Sequence, residues 1–347
     1  MNRILDLLKN ETIEVIGCTE PAAIAYAFAA IRKYCPEIKI NSNNVKARLS
    51  ANKDILRNAD TAGVPRLKTR GIAAVAAMGI FSANPQFNVF SKITNEQIDT
   101  VNKILQKKNW LEIIELNKKC FYLKSELFIN GNVYEAVIKD KHDNLISFKI
   151  NDKIIFSKKT VKPYMLKGLE EISDIVKMRD TELEEFGKYI LRTNGSLFDD
   201  LKTNDVSEAI ARLIEQRMSG VYLSICTFTG SGNQGLFLSI PFYKLYKMYG
   251  DKVLPAFIFA LLTQIYLTQK KGLLSKQCGV SEKASLALSA GILYYKNGNI
   301  PEIQKKMNYL GEMLHGLVCE GAKESCADKG YMCMHNILRR VNPHLNI

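Results

Sequence analysis

Three cysteines near the C-terminal end carry the strongest chemical signal in the chain: Cys278 in KGLLSKQCGVSEKAS, and Cys319 and Cys326 in GLVCEGAKESCADKG. Three thiolates can hold a four-iron, four-sulfur cluster by three of its corners, which leaves the fourth iron open to a substrate. A metal with a free coordination position acts as a Lewis acid, whereas a fully ligated one is structural or redox-active. Gly279 follows the first of the three and has no side chain to hold backbone away from cluster sulfides. No CxxC pair occurs, which disfavours a ribbon-type zinc site, but spacing alone leaves open a zinc site that combines His315 with these cysteines. Cys333, seven residues beyond Cys326, is either a fourth ligand or a buried thiol.

A further thiol, Cys18 in GCTEP, stands just before an expected helix start. Unpaired backbone N–H groups and the helix dipole lower a thiol's pKa there. Cys18 is therefore expected to be a thiolate near neutral pH, fit to be a base, a nucleophile or a metal ligand. The segment SANKDILRNADTAGVP offers Ser50, Asn52, Asn58 and Thr61, whose amides and hydroxyls can bind an α-carboxylate and an ammonium without adding charge. Ordinary turn chemistry accounts for the same residues. FTGSGNQG matches the dinucleotide pattern GxGxxG after the strand-like run VYLSICTFT. That fingerprint needs a βαβ unit with an acid about twenty residues on. Pro241 and the helical surroundings argue against it, and Ser231, Asn233 and Gln234 are expected instead to hydrogen-bond a polar substrate.

The elements that must position these residues divide near residue 165. Residues 1 to 34 read as helical with a break at Gly17, and Thr19 is expected to cap a helix that has Glu20 and Pro21 in its first turn. NNVKARLS alternates like a strand, NADTAGVP reads as a loop, and RGIAAVAAMGIFS suits a tightly packed helix. A helix is expected from Asn95 to Leu116. Four alternating runs then follow, CFYLKSELFI, NVYEAVIKD, LISFKI and KIIFSKK, punctuated by Asn130-Gly131 and Asp143-Asn144, as in an antiparallel meander. Beyond Pro163 the pattern is helical, with loops expected at 194–195, 230–235, 272–279 and 297–299. The predicted class is α+β: an α/β N-terminal half with a small antiparallel sheet (residues 1–165), and a mostly helical C-terminal half carrying the cluster site (residues 166–347).

The 347 residues are 47% hydrophobic, enough for substantial cores. The N-terminus has no signal-peptide core, and the longest apolar run, Val253 to Leu267, includes Thr263 and Gln264 and is too short and polar to span a bilayer well. A cytoplasmic protein with no membrane partner is expected. Eight cysteines in such a chain indicate metal or catalysis rather than a disulfide framework, with Cys35, Cys120 and Cys226 as core fillers. The formal charge of +13 raises the question of nucleic acid. Residues 101–168, however, hold fourteen Lys, no Arg and seven acids, and base and phosphate recognition leans on arginine forks. The excess reads as a solvated lysine surface, with no nucleic-acid partner.

Taken in order, GCTEPAAIA, NADTAGVP, QRMSG, GSGNQG, KGLLSKQCG and GLVCEGAKESCADK resemble the iron–sulfur L-cysteine desulfidases, relatives of the α-subunit region of bacterial iron–sulfur L-serine dehydratases. The resemblance covers most of the chain and is strongest from about residue 210 to 330. It implies a pyridoxal-free β-elimination that turns L-cysteine into pyruvate, ammonia and hydrogen sulfide; the serine dehydratases expel water instead. By position it implies that Cys278, Cys319 and Cys326 hold a [4Fe-4S] cluster and that Cys18 is the thiolate near the open iron. Asn52, Asn58, Ser231, Asn233 and Gln234 would then line the site of a small amino-acid substrate. A homodimer is the default assembly. The chain departs from the family pattern in two places. A Ser-His-Thr-Asn-like segment is missing from the strand region, where ISFKINDKII runs through and His142 is only nearby. Glu282 and Lys283 also interrupt the small-residue run after the first ligand.

Overall fold

A strand the sequence hides, β1 (Thr12–Ile16), ties the two halves of the molecule together. The computed structural model describes residues 3–159 and 162–341. β1 lies between α1 (Arg3–Glu11) and α2 (Thr19–Tyr34), where a continuous helix broken only at Gly17 was expected. Its partner is β10 (Ser224–Phe228), antiparallel, with Thr12 opposite Phe228. A lone five-residue strand has no local pairing partner to reveal it, and its pairing is settled by tertiary contact.

The main sheet has six strands in the order β5-β2-β6-β7-β8-β9. The meander expected from alternation is present as β6 (Tyr122–Ile129), β7 (Asn132–Lys139), β8 (Leu145–Ile150) and β9 (Lys153–Ser157). Asn130 and Gly131 both have positive φ, as the tight hairpin between β6 and β7 demands. β2 (Lys46–Asn52) pairs antiparallel with β6 and parallel with the edge strand β5 (Leu111–Leu116). The helix expected over 95–116 therefore ends early. Thr94 and Gln97 form a capping box for α5 (Asn95–Leu105), and LEIIEL then alternates as an edge strand. α2 is buried along nearly its whole length, packed between this sheet and α4 (Ile72–Phe81). NADTAGVP, expected as a loop, begins inside α3 (Lys53–Thr61) and ends on β3 (Gly63–Val64), which pairs with β4 (Thr69–Arg70).

The C-terminal half consists of α6 (Leu169–Lys177), α7 (Thr181–Asp200), α8 (Val206–Met218), α9 (Gly232–Tyr249), α10 (Leu254–Lys271), α11 (Ser285–Tyr295), α12 (Ile300–Met313) and α13 (Ser325–Val341). The expected loop at 194–195 lies inside α7. Asn194 is fully buried there and bridges the Cys226 backbone and the Ser239 hydroxyl, while Gly195 admits the Tyr243 ring. The stretch from Gly232 to Lys271 is apolar enough by composition to cross a membrane, yet 72% of its apolar window is buried within the fold. α10 is a core helix. These features bear out the α+β class, with the sheet in the N-terminal half and helices in the C-terminal half.

Candidate active site

Chain segments far apart in sequence meet around one cavity with about 130 Å³ of internal room. That is far more than the ~10–15 Å³ that admits a single water. Cys278, Cys319 and Cys326 all line it, as do Cys18, Glu20, Asn58, His142, Arg217 and the loop from Thr229 to Gln234.

Backbone pairing sets the three cysteines. Residues 276–278 and 317–319 form a short antiparallel bridge, in which the Cys278 N–H donates to Leu317 O (2.7 Å) and the Cys319 N–H to Lys276 O (2.8 Å). Cys326 sits in the first turn of α13, its N–H donating to Lys323 O (3.0 Å). Burial pushes the Cys278 and Cys326 thiols up, and the charges of neighbouring thiols of the trio add to this. Two lysines stand near enough to act on them: Lys329, which bonds Val318 O, and Lys283. Lys283 is 1% exposed, donates to Gly272 O (3.0 Å) and Leu273 O (3.1 Å), and is lowered by burial to about 8.

Among the described residues no three His, Cys, Asp or Glu side chains converge closely enough for a single metal ion. His315 is outside the cavity wall, so the zinc alternative finds no support. A lone ion needs every donor within about 2.3 Å of one point. A cluster is bound at separate iron corners and asks for thiols set further apart around a hollow. Three mutually interacting thiols on the wall of a roomy cavity fit the second demand. Cys333 is fully buried on α13, does not line the cavity, and is pushed up to about 12 by burial.

Cys18 lies where expected, at the N-cap of α2, but not in the expected state. Burial pushes its thiol up to about 11, outweighing the nearby Arg217 charge. Loss of water costs the thiolate more than the helix terminus returns. Its Sγ lies 3.9 Å from Arg217 O. Thr19 is the first helical residue rather than the cap, and its hydroxyl donates to Glu20 Oε2 (3.0 Å).

Ser231 accepts from the Gln234 N–H (3.4 Å) as the N-cap of α9. Asn233 Oδ1 accepts from Arg217, and Gln234 Oε1 from the buried Gln264. Asn58 donates to Glu20 Oε1 (3.0 Å), and its own Oδ1 is buried without a partner among the described residues. Asn52 is not brought to the cavity. Its side chain donates to Lys118 O and accepts from the Tyr122 N–H (2.9 Å), stitching the start of β6 to the end of β2.

Four wall residues, Arg217, Arg57, His142 and Glu20, were given no role at the site from sequence. Arg217 is 2% exposed and donates to Gly17 O (2.9 Å), with Nε unpartnered among the described residues. It continues the buried stripe Ile210, Leu213, Ile214 of α8, and an arginine on a core stripe is the signal that marks it. Arg57 likewise has a buried, unpartnered Nε. His142, on the turn between β7 and β8, has Nε2 3.5 Å from Glu20 Oε1. Burial works to raise the Glu20 carboxyl, but the contacts with His142 and Asn58 outweigh it and hold it at about 2. The wall thus gathers Arg57, Arg217 and Lys283, the two carboxylates of Glu20 and Asp54, and the N-termini of α2 and α9, which can receive an anionic group.

The sequence profile of the serine dehydratase alpha chain family matches residues 86–342. A UPF0597 protein of Thermosipho melanesiensis is 30% identical over 354 residues, covering 93% of this chain and 84% of that relative. UPF0597 proteins of Clostridium perfringens and Thermosipho africanus are each 28% identical, covering 94% of this chain and 83% and 85% of their own lengths. The profile match takes in the three cysteines, His142, Arg217 and the glycine loop; Cys18, Glu20 and Asn58 precede it.

Proposed function

The chain belongs to the serine dehydratase alpha chain family, and from that premise we propose that it is a [4Fe-4S]-dependent carbon–sulfur lyase that converts L-cysteine to pyruvate, ammonia and hydrogen sulfide in the cytoplasm. The observation that carries this reading is the meeting of Cys278, Cys319 and Cys326 around one cavity that Asn58, Arg57, Arg217 and the Ser231–Gln234 loop also line. These three thiols would hold the cluster, and two lysines offset the negative charge it brings. When bound, the cluster supplies Lewis acidity toward the leaving group.

The chain's own residues bind and orient the substrate. The α-carboxylate meets the unpartnered Nε donors of Arg57 and Arg217 and the N-terminus of α9 at Ser231, Asn233 and Gln234. The ammonium meets Asn58 Oδ1, a buried acceptor with nothing else to satisfy it among the described residues. Cys18 is a neutral wall thiol that keeps its proton on Sγ. Hydrogen bonds to the carboxylate favour the charge that develops at Cα as its proton leaves.

The family's own description supports a second reading, L-serine as substrate with water as the leaving group. Both readings are tested by anaerobic reconstitution. The protein is expected to take up iron and acid-labile sulfide in equal amounts and to release sulfide and pyruvate in equal amounts from L-cysteine. Faster turnover of L-serine would select the second reading. A protein that binds no iron and makes no product would end both.

A further inference from the structure

We infer that Gln264, a core residue of α10 that does not itself line the cavity, sets Thr229 and Gln234 as hydrogen-bond donors to the substrate's α-carboxylate, a positioning role that rests on the lyase reading above. Gln264 is fully buried in a helix whose other buried residues, Thr263 apart, are apolar. A buried amide costs stability unless it is bonded. Its Nε2 donates to Thr229 Oγ1 (3.0 Å) and to Gln234 Oε1, both on buried residues of the cavity wall, while its own Oε1 has no partner among the described residues. The opposite setting of this amide would put two N–H groups where Oε1 now stands and orphan them in the core. A buried carbonyl without a partner is the lesser fault.

That setting decides what the cavity is offered. An amide has one oxygen and two N–H groups, and a hydroxyl has one hydrogen to give. With Gln234 Oε1 taken by Gln264, Nε2 is the end left over, and it lies against Gly279: a Cβ built there would stand 2.5 Å from Nε2. Gly279 is itself on the cavity wall, next to Cys278. With Thr229 Oγ1 already accepting, the threonine has its hydrogen left to donate. No acceptor for the Gln234 Nε2 or the Thr229 hydroxyl is found among the described residues. Gln234 is 5% exposed and Thr229 1%. Buried donors without acceptors are costly, so a pair of them on a cavity wall awaits an acceptor carried by the ligand.

The backbone supports the same assignment. Thr229 has φ +45°, in the left-handed region that a β-branched residue rarely adopts. Its N–H donates to Glu11 O (2.9 Å), which anchors it to the end of α1. Local strain of this kind gathers at binding sites. Of the two charged ends of an amino acid, the ammonium can only donate, so these donors select the carboxylate. Gln264 touches no substrate and acts through its two neighbours.

Titration calorimetry on the anaerobically reconstituted protein tests this with two small ligands. L-Alanine has both charged ends but no leaving group, and cysteamine keeps the ammonium and thiol of cysteine but lacks the carboxylate. Iron content checks loading. Gln264→Leu, close in size, is expected to weaken L-alanine about 10–150-fold, the worth of one hydrogen bond to a charged group, and to raise the KM for L-cysteine in step. Cysteamine binding should not change, a selectivity that mere loosening of the core would not give. Gln264→Glu, whose carboxylate can only accept, should turn both neighbours to donate inward and weaken L-alanine at least as much. In a Gln234→Leu, Thr229→Val background, Gln264→Leu should add almost nothing, since a residue that acts only through others is silent without them. L-Alanine bound as tightly by Gln264→Leu as by wild type would overturn the assignment, as would equal weakening of cysteamine. Gln264-dependent L-alanine binding by a cluster-loaded protein that turns over none of cysteine, serine or threonine would refute the lyase reading alone.

Discussion

Replacing Gly230 by alanine probes the His142 pocket at the Nδ1 edge of the ring. A Cβ at this position would lie 2.7 Å from both Nδ1 and Cε1 of His142 and 2.9 Å from Leu273 Cδ1, on a backbone with φ +74°. Left-handed backbone costs an alanine about 1–2 kcal/mol, and forcing a methyl into packed surroundings costs about 1–3 kcal/mol more. The expected loss is therefore about 2–5 kcal/mol. Gly131→Ala supplies the comparison, because Gly131 has φ +77° but nothing within 4 Å of the added methyl; it should lose only the backbone share, about 1–2 kcal/mol. Denaturant unfolding of cluster-free protein measures both. In a His142→Ala background the Gly230→Ala penalty should shrink by about 1 kcal/mol or more, since contacting sites couple. The loaded Gly230→Ala enzyme should also lose turnover, because the ring is pushed from its place beside Glu20. The reasoning fails if Gly230→Ala matches Gly131→Ala within about 0.5 kcal/mol, the scatter of neutral surface changes, and keeps full activity.

Glu20→Gln should destabilise the protein at neutral pH by about 3 kcal/mol, from the fall of the carboxyl from 4.5 to about 2 at ~1.4 kcal/mol per unit. Because the folded value lies below the unfolded one, this contribution stands above about pH 4.5 and disappears as pH falls toward 2; a wild-type-minus-variant difference flat across that window would refute it. Asn52→Ala should cost about 1–3 kcal/mol by orphaning Lys118 O and the Tyr122 N–H, while KM stays unchanged; a raised KM would return Asn52 to the substrate site. Cys319→Ala should abolish iron uptake, whereas Cys333→Ala should retain it, and iron loss in the latter would make Cys333 a ligand.

The sequence revealed sites best where residue type alone constrains chemistry. Three cysteines and the loop Ser231–Gln234 were legible because few other roles suit them, and the cavity gathers them all. The meander was legible because each strand alternates and each turn carries its own punctuation. β1 and β5 were not, because a short strand is defined by a partner elsewhere in the chain. Asn52 was misplaced because an amide that binds backbone looks the same in sequence as one that binds substrate. Cys18 was placed correctly, but its basicity was not, since burial is a property of the fold and no local pattern reports it. His142 lay in a lysine-rich turn with nothing beside it to mark it. Its meaning comes from Glu20, 122 positions earlier.

The pairing of residues 12–16 with 224–228 bears on how the molecule is made. Contacts between positions so distant are slow to form, and they cannot form until most of the chain has left the ribosome. Until then α2, with Cys18 and Glu20 at its start, has only part of its final cover, and its apolar flank is a hazard for aggregation. The last two thiols of the trio emerge later still. A centre held by all three thiols could form only after residue 326 has emerged, long after the N-terminal half.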